Sequence, residues 1–224
     1  MFKIEVQPEM PLAFYLEEEQ RLAAKFGTLP ADVQEAGLFF VWQSPPTVIC
    51  GRNQIVEQEV NLSYCRERGI AVVQRRSGGG CVYSDRGNGM VSMIVRPGPV
   101  EEVFPRQMER IALFLRSLAL PAEVSGRNDI LVDGRKVSGN AYCKTPHADI
   151  VHGTLLFDVD LDAMQLAITP SAAKLDRHGV ASVRARVANL KPLLAAAGRP
   201  MERDDFFHRL TDWLTEKNRI FVDA

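Results

Sequence analysis

Apolar residues return at helical spacing in PLAFYLEEEQRLAAKF (11–26), where Leu12, Tyr15, Leu16, Leu22 and Phe26 share one face and glutamates crowd the other. That spacing predicts an amphipathic helix. GLFFVWQ (37–43) is a short aromatic and β-branched run, read as a buried strand that ends at the Ser44-Pro45-Pro46 turn. TVICG (47–51) predicts a second strand, LSYCRERG (62–69) a helix stopped by Gly69, and IAVVQR (70–75) the strand after it. GMVSMIV (89–95) reads as a strand, and VFPRQMERIALFLRSLAL (103–120) as a helix with Phe104-Pro105 in its first turn. Two strands, 128–133 and 135–143, meet at Asp133-Gly134, a strong short-range hairpin signal. The β pattern continues through IVHGTLLFDVD (150–160), followed by a short helix near 161–168, an arginine-bearing stretch at 182–190 and a last amphipathic helix over 201–218. Hairpins with helices grouped between strand runs predict an α+β fold, mixed and antiparallel β-sheets flanked by helices, rather than a doubly wound sheet.

Composition narrows the class. The 224 residues carry 27 Lys+Arg against 28 Asp+Glu, a net charge of −1, with 46% hydrophobic residues. That is ordinary for one large globular domain. A chain of this length buries enough surface to need no disulfide or metal. The near-neutral balance argues against a nucleic-acid partner, although a local basic patch remains compatible with it. The four cysteines, Cys50, Cys65, Cys81 and Cys143, form no CxxC pair, which points to a reducing compartment. Without a signal-like start or a run near 18 apolar residues, the expectation is a cytoplasmic protein with no membrane partner.

Candidate chemistry begins at Arg75-Arg76-Ser77-Gly78-Gly79-Gly80-Cys81-Val82-Tyr83-Ser84-Asp85. Three successive glycines after a strand let the backbone approach a ligand closely and aim several N–H groups at an anion. Arg75 and Arg76 add forks suited to phosphate. The spacing alone leaves a plain hairpin turn with surface arginines equally open. It is neither a Walker loop nor a GxGxxG fingerprint. In Gly134-Arg135-Lys136-Val137-Ser138-Gly139-Asn140-Ala141, small residues leave room beside Lys136, whose ammonium can neutralise a phosphate or a developing oxyanion. A solvated hairpin lysine is the plainer alternative. His152-Gly153-Thr154 opens an apolar strand; five residues from His147, His152 falls on the opposite face, so the two do not suit a shared metal.

Taken jointly, RRSGGGCVYSDRGN (75–88), GRND (126–129), GRKVSGNAY (134–142), HGTLLFDVDL (152–161) and SVRARVANL (182–190) closely resemble lipoate–protein ligases in order and spacing. PLAFYLEEE, LFFVWQSPPTVICGRNQ and TPSAAKLDRHG fit the same family, so the resemblance runs from about residue 11 to 195. It implies a catalytic domain related to that of biotin–protein ligase. It implies activation of lipoate with ATP and Mg2+ to lipoyl-adenylate, then transfer to a lysine of an apo-lipoyl domain. By motif, Arg75 and Ser77, Gly78, Gly79, Gly80, Cys81, Val82 and Tyr83 correspond to the loop around ATP and the adenylate. Lys136 corresponds to the essential lysine that contacts carboxyl and phosphate. Asn140, Ala141 and His152 correspond to the intermediate's pocket, and no residue corresponds to a metal ligand. Val82 and the Leu155-Leu156-Phe157 strand are expected to cover the aliphatic tail.

Three departures from the family pattern stand out. Ser84 replaces the usual His and Cys81 the frequent Ala. The 224 residues fit a single catalytic domain and leave no room for the family's C-terminal accessory domain, so a separate accessory chain or a compact variant is expected. Transferases of the same fold use an acyl-cysteine ahead of the lysine hairpin or in a Pro-Cys-Gly turn. Here those places read Val124-Ser125-Gly126 and Thr169-Pro170-Ser171. Arg184 and Arg186 are candidates for recognising an acidic acceptor. A non-catalytic protein that binds lipoate or lipoyl domains is the remaining alternative.

Overall fold

A computed structural model describes residues 1–7, 9–126, 128–168 and 186–216. The long helical repeat forms α1 (Leu12–Lys25), and the core-length runs form β2 (Leu38–Trp42), β6 (Asn88–Val95) and β10 (Asp149–Leu156). With β1 (Phe2–Lys3), β7 (Ala122–Ser125), β8 (Asp129–Val132) and β9 (Arg135–Lys144), these build a seven-stranded sheet in the order β1-β2-β6-β10-β9-β8-β7. All its pairings are antiparallel except β1 with β2.

Period-two alternation sends the sheet's residues to two cores. Phe39, Val91, Met93 and Val151 pack with α5 (Val100–Ser117) and with α8 (Arg203–Glu216), whose Phe206 and Leu210 are fully buried. Leu38, Phe40, Trp42, Met90, Ile94 and Ile150 face α1 instead. The same face carries His152, which stands opposite Ser92 in the β6–β10 register. A second sheet has three strands in the order β4-β3-β5, with β3 (Thr47–Cys50) at the centre, parallel to β4 (Ala71–Gln74) and antiparallel to β5 (Val82–Ser84). Residues 75–81 therefore leave one neighbour of β3 and return to its other neighbour.

Several boundaries differ from the sequence expectation. The helix expected at 103–120 runs from Val100 to Ser117, so Pro105 lies inside it rather than in its first turn. Pro99 supplies the extended entry, and Glu101 and Glu102 sit where the helix dipole favours acids. Short elements were not anticipated: β1, β5, β7, α2 (Ala31–Ala36), α3 (Val56–Glu59) and α7 (Leu190–Ala196) are too brief to establish a period. The helices expected at 62–69 and 161–168 are α4 (Leu62–Glu67) and α6 (Leu161–Ala167). Thr169-Pro170-Ser171, all of TPSAAKLDRHG (169–179), Arg184 and the final residues from 217 on lie outside the described residues. No described helix is long and apolar enough to cross a membrane.

Candidate active site

The glycine loop is built on its neighbours' backbones. The Arg75 amide donates to the Cys50 carbonyl (2.9 Å), and the Arg52 amide to the Ser77 carbonyl (3.0 Å). A Cβ at position 51 would sit 2.0 Å from the Gly79 carbonyl oxygen, so glycine at 51 allows the loop to lie flat on the end of β3. Gly79 holds φ +99, a backbone conformation L side chains rarely adopt. At positions 78 and 80 an added Cβ would meet nothing within 4 Å, leaving that side of the loop open.

Arg75 holds the loop from inside. It is buried, and its Nη2 donates to the Gly78 (2.7 Å) and Gly80 (2.9 Å) carbonyls, its Nη1 to Ile49 O (3.2 Å) and its Nε to Ser77 Oγ (3.0 Å). Its guanidinium is thus largely occupied by loop carbonyls, although it borders the cavity described below. Ser77 faces a neighbouring cavity, and Tyr83 points into the core beneath the three-stranded sheet with Val48 and Met164.

The cavity lies between α1, the α1-side face of the large sheet and the glycine loop. Leu12, Leu16, Trp42, Ile49, Val82 and Met90 make an apolar end, and Asn128, Lys136, Asn140 and Thr154 a polar one. Gly80, Cys81, Ala141 and His152 complete the wall between them. Trp42 on β2 and Lys136 on β9 are three strand spacings apart in the sheet order, about 14 Å. The expected role of Leu155, Leu156 and Phe157 is overturned: all three are buried in the cores and do not line the cavity. Leu12, Leu16, Trp42, Ile49 and Met90 take their place beside Val82.

Lys136 is positioned by the hairpin and by a bulge. Asp133 (φ 50) and Gly134 (φ 71) make a two-residue turn with both central φ positive, the geometry that matches strand twist. The register then shifts, Leu131 pairing with Lys136 and Ile130 with Ser138. The extra residue, Val137, turns into the core while Lys136 folds over Gly139, where a Cβ would stand 2.8 Å from Cε and Nζ. Its Nζ lies 2.7 Å from Asp129 Oδ1, with both side chains about one-third exposed (32% and 35%). Val187 bridges to the backbone of Lys136, and the Ala188 amide donates to its carbonyl. Asn189 of the same motif exchanges two hydrogen bonds with Val159 (3.0 and 2.9 Å), a scaffolding role.

Asn140 and Gly153 interlock. A Cβ on Gly153 would come within 2.0 Å of Asn140 Oδ1, and the Asn140 Nδ2 donates to Asn128 O and Ser138 Oγ (both 3.1 Å). Asp85 accepts from the Gly87 (2.7 Å) and Asp160 (3.0 Å) amides and is raised in pKa chiefly by burial; it braces the β10–α6 connection. Cys81 Sγ is 2.9 Å from Cys50 Sγ, and burial together with that neighbour pushes its thiol pKa well up. Among the described residues no group of three His, Cys, Asp or Glu gathers into a metal site.

Sequence reasoning missed Trp42, Asp129 and Glu19 as site residues. Asp129 ends the quoted GRND motif. Glu19, fully buried, was read as part of an exposed acidic face, yet the spacing Leu12, Tyr15, Glu19, Leu22, Phe26 puts it on the buried stripe. That placement was the available signal.

The family model described as the lipoyl protein ligase A/B catalytic domain matches residues 14–215. The chain is 43% identical over 162 residues to the lipoate-protein ligase LplJ of Bacillus subtilis, covering 72% of this chain and 48% of that protein. It is 41% identical over 179 residues to lipoate–protein ligase 1 of Staphylococcus aureus, covering 80% and 53%. It therefore spans about half the length of these curated relatives. Among solved structures, lipoate-protein ligase A bound with ATP superposes with a TM-score of 0.80 at 22% identity, over 98% of this chain and 86% of that one. The bi-partite lipoate protein ligase of Thermoplasma acidophilum gives 0.74 at 23%, over 97% and 83%. At those identities the superpositions speak for the fold, and the family match speaks for descent: the chain belongs to the lipoyl protein ligase A/B catalytic-domain family.

Proposed function

We propose that this chain is the catalytic part of an ATP-dependent lipoate–protein ligase, acting in the cytoplasm. The observation that carries the reading is one cavity with an apolar end at Trp42 and Met90 and a lysine at the other. That polarity suits a carboxylic acid with an aliphatic tail. The carboxylate of lipoate attacks the α-phosphorus of ATP, pyrophosphate leaves, and a mixed anhydride forms. Negative charge concentrates on phosphate and acyl oxygens beside Lys136, where a fixed ammonium and loop amides stabilise it. The ε-amine of an acceptor lysine on an apo-lipoyl domain then attacks the acyl carbon, and AMP leaves. The apolar wall keeps water from the anhydride before the acceptor arrives. The ion pair with Asp129 keeps Lys136 at the polar end of the cavity.

Mg2+ commonly binds through one or two carboxylates plus substrate phosphates rather than an all-protein cage. Asp129, the carboxylate at the lysine end, fits that habit. It would hold the ion together with ATP, and the ion would supply further charge neutralisation. A separate accessory chain is a further partner to test, as the bi-partite T. acidophilum enzyme suggests by its name.

An acyl-cysteine transferase is disfavoured by Cys81, whose raised thiol pKa leaves little thiolate to act as nucleophile. Incubation with an apo-lipoyl domain, lipoate, ATP and Mg2+, with and without a candidate accessory protein, followed by intact mass, tests the reading. Lipoyl addition that requires ATP and falls about 10²–10³-fold in Lys136→Ala is the expected result. Transfer from an octanoyl carrier without ATP would overturn it.

A further inference from the structure

A continuous chain of buried hydrogen bonds runs from the apolar end of the cavity to the glycine loop. Trp42 Nε1 donates to Ser92 Oγ (2.8 Å), and Ser92 Oγ donates to Glu19 Oε1 (2.5 Å). Glu19 Oε1 and Oε2 lie 3.0 and 2.9 Å from His152 Nδ1, and His152 Nε2 lies 3.0 Å from Ser77 Oγ. Ser77 Oγ receives Arg75 Nε, and Arg75 grips the carbonyls of Gly78 and Gly80. Glu19, Ser92, Ser77, His152 and Arg75 are each at least nine-tenths buried.

The bond directions follow from the fixed donors and the one fixed acceptor. Indole and guanidinium nitrogens only donate, and an ionised carboxylate only accepts. His152 Nδ1 therefore carries a proton and donates it to Glu19. In the neutral imidazole Nε2 is then the acceptor, and Ser77, which accepts from Arg75, gives it the hydroxyl proton. At the other end Ser92 accepts from Trp42 and donates to the same carboxylate. Both halves of the chain converge on Glu19, the one member that accepts from both sides and donates to neither. An amide there would bring an NH2 against either Ser92 or His152. Next to His152 it would favour the Nε2–H tautomer, which cannot accept from Ser77.

We propose that Glu19 is a positioning residue for the glycine loop, fixing the His152 tautomer so that Ser77 orients Arg75 to hold Gly78 and Gly80. The fold makes this economical. Glu19 comes from α1, His152 from β10 and Ser77 from the loop itself, so one carboxylate ties a helix, the large sheet and the loop on the small sheet. The loop's assignment to the adenylate rests on the ligase reading; its mechanical dependence on Glu19 does not.

The experiment therefore starts with the protein alone. Amide hydrogen exchange of residues 77–81 is compared in wild type, Glu19→Gln, Ser77→Ala and the double variant, with 15N histidine spectra reporting the tautomer. In Glu19→Gln we expect loop exchange to rise roughly tenfold, the effect of one lost buried hydrogen bond, and His152 to shift from Nδ1–H to Nε2–H. Ser77→Ala should loosen the loop equally while keeping Nδ1–H, and the double variant should add nothing to Ser77→Ala. Loop exchange unchanged in Glu19→Gln, a rise spread equally over α1 and β10, or full additivity in the double variant would each overturn the proposal. With substrates present, the ATP KM of Glu19→Gln should rise by more than its lipoate KM. A wild type inactive in lipoylation even with a candidate accessory protein present, yet still showing the exchange and tautomer pattern, would sink the ligase reading and leave the positioning role standing.

Discussion

Arg75 and Cys81 show how far a residue's chemistry depends on what surrounds it. As letters in the sequence, Arg75 is a free phosphate fork and Cys81 a small apolar residue or a reactive thiol. In the fold Arg75 holds the loop's own carbonyls, and the half-buried Cys81 thiol lies against Cys50. A thiol with raised pKa keeps its proton further into the alkaline range, so its thiolate fraction near neutrality is small and grows with pH. Alkylation of Cys81 by iodoacetamide at pH 7.5 should accordingly run roughly tenfold or more slower than that of a free cysteine, and accelerate as pH rises. Peptide mass mapping over a pH series measures this; labelling as fast as a free thiol would revive the acyl-cysteine reading. Lys136, Asn140, Ala141 and His152 line one cavity, and it was the resemblance to the family's motifs rather than their own spacing that picked them out. Glu19 was not picked out, because an acid's identity outweighed its helical position. Its burial is determined by partners more than 70 residues away in Ser92 and His152, which local pattern does not encode.

At the scale of elements, long periodic segments were readable and short ones were not. The helix over 11–26 and the hairpin at Asp133-Gly134 appear almost as the pattern predicts. The strands β1, β5 and β7 have two to four residues each and depend on pairing partners rather than on period. The bulge at Val137 was invisible for the same reason, since alternation alone would carry straight through it. The hairpin offers a clean check of the turn argument. Gly134 holds φ +71 with open space around its Cβ position, so Gly134→Val adds backbone strain without a clash. A stability loss of about 1–2 kcal/mol is expected, read as a lower urea midpoint at unchanged slope. No loss would mean that the turn relaxes and that Lys136 is held by Asp129 and the Val187 bridge instead.

Across the whole molecule, two sheets with different jobs meet at one cavity. The seven-stranded sheet carries the lysine and, with Trp42 and Met90, part of the apolar end; the three-stranded sheet adds Ile49 and Val82 to that end and carries the loop. Near-zero net charge fits this division, because the cationic groups proposed to handle anions are few and local rather than spread over a surface. The α+β class was legible from grouped hairpins and helices. The partition into two sheets was not, because the β3–β4 and β3–β5 pairings are chosen by tertiary packing.

The path of residues 75–81 over the end of β3 makes the loop a bridge with two fixed abutments. Its feet stand on β4 and β5, two strand spacings or about 9.6 Å apart, and Gly51 is the low deck on which Gly79 rests. The clearance beneath such a span is set by the number of residues between the feet, not by the strength of any one contact. Inserting one glycine between Gly78 and Gly79 should therefore raise the span and weaken ATP binding while leaving the melting temperature nearly unchanged, measured by isothermal titration and by thermal unfolding. A large drop in melting temperature would show instead that the arch is a strut of the fold. In that case the loop's shape would be part of what keeps the two sheets together, and nucleotide would enter a span that was never free to change its height.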